Sequence, residues 1–181
     1  MPNAIVSVYD KTDIEKAGRI LNELGVNIYA TSGTYNYLLS KGINVRHIED
    51  ICGNPQGFER YFSSLSFNTL VGTLAEQHST ANDIFIEKID IVIYNFVPSW
   101  ELIHSSNDFN IQNVDLGGPT IIRAAAINYK NTLPIVSPSQ YDILEHYNSI
   151  DIQQRKEYAR EAFAYCSMYD TQLVNLLNTL L

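Results

Sequence analysis

Short apolar segments rich in β-branched residues alternate with helix-like segments along most of this sequence. Residues 4–9 (AIVSVY) and 26–30 are two such apolar runs, and residues 90–96 (DIVIYNF) form the strongest one. A pattern with one apolar face occupies residues 14–24, between the first two runs. Buried parallel strands are continuous apolar runs, and helices connect them across the sheet. The sequence therefore predicts an α/β fold, a three-layer domain whose mostly parallel central sheet is flanked by helices.

Local signals predict where several of these elements begin and end. Thr12 and Glu15 have the spacing of a capping box, which predicts a helix that starts after Thr12, and Gly25 suits the end of that helix. Further predicted elements are strands at 45–48 and 133–136 and helices that open near residues 32, 119, 138 and 152. Residues 52–82 show no clear pattern, although Gly53, Pro55 and Gly57 indicate a loop.

Length and charge restrict the class of protein. The 181 residues suit a single domain, 1–181, with a sizeable core. The chain has 12 basic and 20 acidic residues, a net charge of −8, and no basic run. This balance argues against nucleic acid or an anionic membrane as partner and favours a small-molecule substrate. No apolar run reaches the ~18 residues that span a bilayer, and the first residues do not resemble a signal peptide, so we expect a cytoplasmic protein.

Cysteine and histidine spacing gives no indication of a metal site. Cys52 and Cys166 are too few for a disulfide framework, and no two of the four histidines have ligand spacing. We therefore expect reduced cysteines and no metal. Cys166 lies on an apolar helix face and is expected in the core.

Three segments leave a predicted strand or loop and open a helix: residues 9–12, 30–34 and 115–120. Ligands of parallel sheets bind outside the carboxyl ends of strands, where outward-facing N–H groups and helix dipoles favour a phosphate or carboxylate. Ser, Thr, Gly and Asp also cap helices for structural reasons alone, so each turn has two interpretations. The candidate substrate- or phosphate-binding residues are Lys11, Thr12, Thr31, Ser32, Gly33, Thr34, Gly117 and Gly118.

Asp115 and Asn95 are the candidate catalytic residues. Asp115 precedes two glycines, where it acts as a general base or shapes the turn. Asn95 ends a buried strand, so its amide needs a hydrogen-bond partner, either in a site or in the fold itself.

Five segments together resemble a known family. Their sequences are VYDKT, ATSGT, YNFVP, DLGGPTIIRAAA and AFAYCSMYD. In this order they resemble the inosine monophosphate (IMP) cyclohydrolase domain, the N-terminal half of a bifunctional purine-biosynthesis enzyme, with a methylglyoxal-synthase-like fold and flavodoxin-like winding. The resemblance covers residues 4–177, without the formyltransferase half.

The resemblance implies an activity and a site. The family closes a formamido group onto a neighbouring carboxamide nitrogen and expels water, without metal or cofactor, as a homodimer. The first two helix-opening turns would hold the nucleotide phosphate. Asn95, Asp115, Gly117 and Gly118 would line the ring side of the pocket.

Several positions depart from the family pattern. Ser63 replaces a catalytic lysine, Val97 a catalytic tyrosine and Ile127 a second lysine. Tyr9 replaces a serine, Tyr61 an arginine and Tyr129 a histidine. The altered positions are Tyr9, Tyr61, Ser63, Val97, Ile127 and Tyr129.

These departures bear directly on function. Each lost factor of ten in rate corresponds to about 1.4 kcal/mol, so three missing groups remove several kcal/mol of transition-state stabilisation. We expect a divergent enzyme that performs a dehydrative ring closure, or a related condensation or hydrolysis, on a less anionic substrate in specialised metabolism. The alternatives are a genuine IMP cyclohydrolase and an inactive nucleotide- or metabolite-binding module. A methylglyoxal-synthase-like phosphate lyase fits the motifs less well.

Overall fold

A parallel sheet is the centre of the fold. The computed structural model describes residues 1–53, 64–76, 79–81, 84–102 and 114–179. The strands are β1 (Asn3–Val8), β2 (Asn27–Ala30), β3 (Arg46–His47), β4 (Ser79–Ala81), β5 (Ile84–Ile86), β6 (Ile91–Asn95) and β7 (Leu133–Ile135). Five of them form a parallel sheet in the order β3-β2-β1-β6-β7, and β4 and β5 form a separate antiparallel pair. The predicted α/β class and mostly parallel sheet are confirmed.

Helices cover both faces of this sheet. They are α1 (Ile14–Glu23), α2 (Ser32–Ser40), α3 (Glu49–Cys52), α4 (Phe67–Leu74), α5 (Gly117–Ile127) and α6 (Ile152–Asn178), with 3₁₀ helices at Ser99–Leu102 and Pro138–Ser149. Successive strand residues point to opposite faces, so Ala4 and Val6 pack with α1 and the longer 3₁₀ helix. Ile5 and Val92 pack with α5 and α6. The result is the three-layer arrangement that the alternating pattern predicts.

The strand order reverses between β1 and β6. From β1 the chain moves outward through β2 to β3, whereas β6 leads to β7 on the other side. The register places Val8 beside Asn95 at the ends of the two strands. Such a reversal leaves a crevice outside the carboxyl ends of the strands, where doubly wound sheets bind ligands.

The predicted start of α1 is wrong in one detail. The helix begins at Ile14 and its N-cap is Asp13, which has φ 56° and makes no side-chain capping bond. Asp10 accounts for the difference, because its Oδ1 accepts from the backbone N–H of Thr12 at 2.9 Å and from the Thr12 hydroxyl at 2.7 Å. The Thr12 hydroxyl thus closes a local turn around Asp10 instead of capping the helix.

The region without a clear pattern contains regular structure. It includes α4, which begins with a capping box formed by Ser66 and Thr69, and strand β4. The altered positions Tyr61 and Ser63 lie outside the described residues. The β3 strand is shorter than the predicted 45–48, and the remaining predicted strands and helices match to within a residue or two at each end.

Candidate functional site

Asn95 holds the first helix-opening turn against the end of β6. Its Oδ1 accepts from the backbone N–H groups of Tyr9 at 2.6 Å and Asp10 at 2.8 Å. Its Nδ2 donates to the Asp10 carbonyl at 3.0 Å. This buried amide therefore bridges the reversal point of the sheet. Of the two interpretations of Asn95, the structure shows the hydrogen-bonding one, and the catalytic role stays a prediction.

A crevice of about 840 Å³ opens beside this bridge, outside the ends of β1, β6 and β7. Its volume falls within the ~300–1,000 Å³ of small-molecule sites. Its lining consists of Tyr9, Asp10, Lys11, Asn95, Phe96, Pro98, Val136, Ser137, Pro138 and Tyr165. The crevice thus brings together predicted site residues from the first turn and from β6.

Lys11 connects this crevice with the second helix-opening turn. Its Nζ donates to the Val8 carbonyl at 2.8 Å, and the Thr34 hydroxyl donates to the same carbonyl at 3.3 Å. Partial burial lowers the pKa of Lys11, while the nearby Asp10 opposes this shift. The ammonium thus lies at the end of β1, which both turns contact, and its anion-binding role stays a prediction.

The hydroxyls of the second turn are bonded within the protein. Thr34 is buried, and its Oγ1 accepts from the Val8 N–H at 3.0 Å. Thr31 Oγ1 lies 2.7 Å from Ser7 Oγ. Ser32 Oγ lies 3.0 Å from His47 Nε2. Apart from the backbone of its own turn and its chain neighbours, no atom of the described residues comes within 4 Å of where a Cβ of Gly33 would lie. The turn therefore has open space at Gly33, and its predicted role in phosphate binding stays a prediction.

A set of buried and half-buried hydroxyls leads from this turn toward Asp115. The Tyr94 phenol lies 3.1 Å from Ser64 Oγ and also hydrogen-bonds with Ser7. Burial raises the pKa of Tyr94, so the phenol stays protonated at neutral pH. Hydrogen bonds thus link four side chains beneath the carboxyl ends of the strands, in the order Thr31, Ser7, Tyr94 and Ser64.

Asp115 lies at the amino end of α5, where backbone N–H groups partly compensate the negative charge of its carboxylate. Its Oδ1 accepts from the Gly118 N–H at 2.8 Å, and Gly117 also bonds with the carboxylate. Burial raises the pKa of Asp115, and the two backbone hydrogen bonds oppose that shift. A carboxyl with a raised pKa can exchange protons closer to neutral pH, and the acid–base role of Asp115 stays a prediction. The same bonds show that Asp115 also shapes the turn.

Gly117 and Gly118 allow α5 to approach its neighbours closely. A Cβ on Gly118 would lie 2.4 Å from Tyr94 Cε1 and 2.8 Å from Phe96 Cδ1. A Cβ on Gly117 would lie 3.2 Å from Ser64 Oγ. Protein atoms thus lie close to the positions that a Cβ would take at these two glycines, which explains the lack of side chains there. Ligand contact at the glycines stays a prediction.

Four of the altered positions lie within the described residues. Ile127, in place of a lysine, is 66% exposed at the end of α5. Val97 is half-buried after β6, and Tyr129 packs partly against the core on the α5 and α6 side. Tyr9 lines the crevice, and a hydrogen bond to Glu101 raises its pKa. Hydrophobic or aromatic groups therefore occupy positions where the family has polar or charged ones.

Two tyrosines of α6 support the site and were missed by the residue-by-residue reasoning. The Tyr165 hydroxyl accepts from the Phe96 N–H, and the Tyr169 hydroxyl accepts from the Asp115 N–H, both at 3.1 Å. Their spacing of four residues puts both on one helix face. That spacing is visible in the sequence, but the partners of these hydroxyls are not.

The remaining sequence expectations concern metals, cysteines and membranes. Within residues 1–53, 64–76, 79–81, 84–102 and 114–179, no group of three or more His, Cys, Asp or Glu side chains could hold a metal ion. Both cysteines are buried, and burial raises each thiol pKa to about 11. In the same parts of the chain, no helix combines the length and the apolar character needed to cross a membrane.

The geometry defines the class of protein. It is a three-layer α/β domain with helix-opening turns and a crevice where the strand order reverses. Residues 13–120 match the family of MGS-like domains, and the chain belongs to this family. The predicted methylglyoxal-synthase-like fold is thereby confirmed.

Sequence relatives relate the chain to a narrower group within this family. It is 38% identical, over 95% of its length, to the bifunctional purine biosynthesis protein PurH of Caldicellulosiruptor bescii, and 37% identical, over 96%, to PurH of Thermoanaerobacter sp.. The chain spans only 36–37% of the length of these two relatives. The crystal structure of ForH is similar with a TM-score of 0.82 and 28% identity, covering 97% of this chain and 98% of that one. The resemblance to the cyclohydrolase part of PurH is confirmed.

Proposed function

We propose that this protein catalyses a dehydrative ring closure, of the kind performed by IMP cyclohydrolase, on a substrate less anionic than the purine nucleotide. One observation carries the proposal. The carboxyl Asp115 is retained and half-buried near the protonated Tyr94, whereas Val97 and Ile127 replace the polar groups that the family resemblance implies. The relationship to PurH supports the reaction type.

In this ring closure, the substrate nitrogen attacks a carbonyl carbon and forms the new C–N bond. Asp115 accepts the proton that this nitrogen releases and returns it to the former carbonyl oxygen, which becomes a hydroxyl. The carboxylate then takes the proton of the neighbouring nitrogen and delivers it to that hydroxyl, so that a C=N bond forms as the C–O bond breaks and water leaves. The raised pKa of Asp115 suits these transfers. The Gly118 N–H bond at 2.8 Å holds the carboxylate in place during the transfer. The Tyr94 phenol adds a buried donor close to the same turn.

The charge of the site supports the change of substrate. Lys11 is the only cation among the described residues that line the crevice, whereas Ile127, at the position of the family's second lysine, lies at the other end of α5. Tyr9 places an aromatic ring where the resemblance implies a serine. A site with less positive charge and more aromatic surface favours a substrate with less negative charge.

An absorbance assay tests the proposal with two substrates. One is the formamido nucleotide whose closure yields IMP, and the other is its nucleoside, which lacks the phosphate. We expect a higher kcat/KM for the nucleoside, and loss of at least a hundredfold in kcat when Asp115 is replaced by Asn. Asp142→Asn, a surface change on the longer 3₁₀ helix, is the matched control.

The other outcomes are informative. A higher kcat/KM for the nucleotide would establish a genuine cyclohydrolase and overturn the substrate change. Thermal stabilisation by either compound without turnover would establish a binding module instead of an enzyme. Unchanged kcat in Asp115→Asn would remove Asp115 from the mechanism.

A further inference from the structure

A second cavity lies at the β3 edge of the sheet, at the opposite end of the strand order from β7. Its volume of about 290 Å³ is just below the ~300–1,000 Å³ of drug-sized ligand sites and suits a smaller ligand. Its lining comes from β2, β3, α3, α4 and the segment after β5. Among the described lining residues, none belongs to a helix-opening turn or to the proposed ring closure. The polar and charged ones are Tyr29, Arg46, Glu49, Asp50, Asn68 and Glu87.

Arg46 is held at this cavity by its neighbour on β2. The register places Arg46 beside Tyr29, whose side chain is only 2% exposed. The guanidinium carbon lies 6.0 Å from the centre of the Tyr29 ring, and the guanidinium hydrogen-bonds with the Tyr29 hydroxyl. In the described ranges, no carboxylate oxygen lies within 4 Å of the Arg46 nitrogens. Because a guanidinium has five N–H donors in a fork that matches a carboxylate, Arg46 keeps donor capacity toward the cavity.

A carboxylate of the same cavity is fixed by buried amides. Asn3, which is 1% exposed, donates from Nδ2 to Glu87 Oε2 at 3.0 Å. Asn27 Nδ2 in turn donates to Asn3 Oδ1 at 3.0 Å. Burial raises the pKa of Tyr29, and the negative charge of Glu87 adds to this shift. The Glu87 carboxylate is therefore in place near Tyr29 before a ligand enters, which lowers the entropic cost of binding.

The two helices beside the cavity add further polar groups. From α3 come the carboxylates of Glu49 and Asp50, and from α4 comes the amide of Asn68. The Glu49 carboxylate lies 3.4 Å from His47 Nδ1, whereas Asp50 makes no ion pair within the described residues. A Cβ on Gly53 would lie 3.3 Å from Asn68 Nδ2, so the glycine leaves this amide uncovered.

The charges of the lining indicate which kind of ligand fits. One guanidinium and three carboxylates give the described lining a net charge of −2, which favours a ligand with a positive net charge. Arg46 and Asn68 nevertheless present N–H donors that suit one carboxylate group. A ligand with two cationic groups and one carboxylate meets both conditions.

We propose that this cavity binds an α-amino acid with a cationic side chain. The ligand carboxylate pairs with Arg46 and Asn68. Its two cationic groups meet the carboxylates of Glu49, Asp50 and Glu87. The proposal goes beyond the ring closure and does not depend on it, because binding alone tests it.

Calorimetric titration of the intact protein with defined probes tests this assignment. L-Lysine carries all the required groups, L-norleucine lacks the side-chain ammonium, and 1,5-diaminopentane lacks the carboxylate. We expect lysine to bind at least about tenfold more tightly than either of the other two, equivalent to about 1.4 kcal/mol. Equal affinity for lysine and diaminopentane would indicate a diffuse acidic surface and overturn the proposal, as would the lack of saturable lysine binding.

Matched variants separate the carboxylate contact from a general attraction of cations. Arg46→Met should weaken lysine binding about tenfold and leave diaminopentane binding unchanged or tighter, because it removes a positive charge from an acidic cavity. Asp50→Asn should weaken binding of both probes about threefold, as the loss of one exposed ion pair does. Arg19→Met removes an exposed charge on α1 and should bind lysine as the wild type does. Undiminished lysine affinity in Arg46→Met would contradict the pairing with the ligand carboxylate.

An amide shift map of the wild-type protein decides the case if a variant does not fold. We expect lysine to shift the N–H signals of Arg46, Ile51 and Asn68. Shifts confined to the crevice beside β7 would contradict the assignment.

Discussion

Gly118→Ala introduces a methyl group where α5 touches the end of β6. The added Cβ would lie 2.4 Å from Tyr94 Cε1 and 2.8 Å from Phe96 Cδ1. Each of these side chains is 4% exposed. Ser64 holds the Tyr94 phenol, and Tyr165 holds the Phe96 backbone, so neither ring moves aside freely.

The magnitude follows from two opposing effects. Overpacking of a core costs about 1–3 kcal/mol or more. The greater helix preference of Ala over Gly offsets up to about 1 kcal/mol. We expect a net loss of about 2 kcal/mol in the free energy of unfolding, which lowers Tm by about 4–8 °C for a chain of this length.

Thermal unfolding followed by circular dichroism measures this difference. Gly33→Ala is the matched control, because that glycine also opens a helix and no other part of the described chain lies within 4 Å of its added Cβ. The control should raise Tm by about 1–4 °C. A Gly118→Ala variant that melts within about 1 °C of the wild type would refute the packing argument.

Two further predictions concern the hydrogen-bonding side chains of the site. Asn95→Ala removes three hydrogen bonds, which leaves the Asp10 N–H without its partner and the Tyr9 N–H with the Asn95 backbone carbonyl at 3.4 Å. We therefore expect a loss of about 2–4 kcal/mol in urea unfolding, and a loss below about 0.5 kcal/mol would contradict the bridging role. Burial raises the pKa of Asp115, so in the folded protein this carboxyl keeps its proton to a higher pH than in the unfolded chain. The stability linked to that proton is therefore lost as the pH rises from the ordinary pKa near ~4 through the raised pKa of the folded protein. Asp115→Asn should therefore gain stability relative to the wild type as pH rises from about 4 to 7, and a flat difference across that range would contradict the raised pKa.

Much of the secondary structure was predictable because its signals are local. Apolar runs predict β1, β2, β6 and β7, and Gly25, at φ 70°, follows the end of α1 as expected. The start of α1 was the exception among these local signals. Asp10 and Glu15 compete for the same Thr12, and the sequence alone does not show that Asp10 binds it.

The sequence predicted where the candidate site residues lie on the sheet, but not which of them contact one another. The three helix-opening turns lie at the carboxyl side of the sheet, as the strand pattern predicts. The sequence did not predict that the first turn lines the crevice whereas the second is linked to Ser7, since this difference depends on β1 lying between β2 and β6. Lys11 and Asn95 consequently line the crevice, whereas Thr31 is linked to Ser7 and, through it, to Tyr94.

The type and approximate position of most elements follow from residues within one or two helical turns of each other, because periodicity and capping act over that distance. The function of individual side chains follows from contacts between distant parts of the chain. Asn95 meets Asp10 across 85 residues, and Asp115 meets Tyr169 across 54. Those contacts exist only once the sheet has placed β1 beside β6 and packed α6 across them, so a polar side chain finds its partner only in the folded protein.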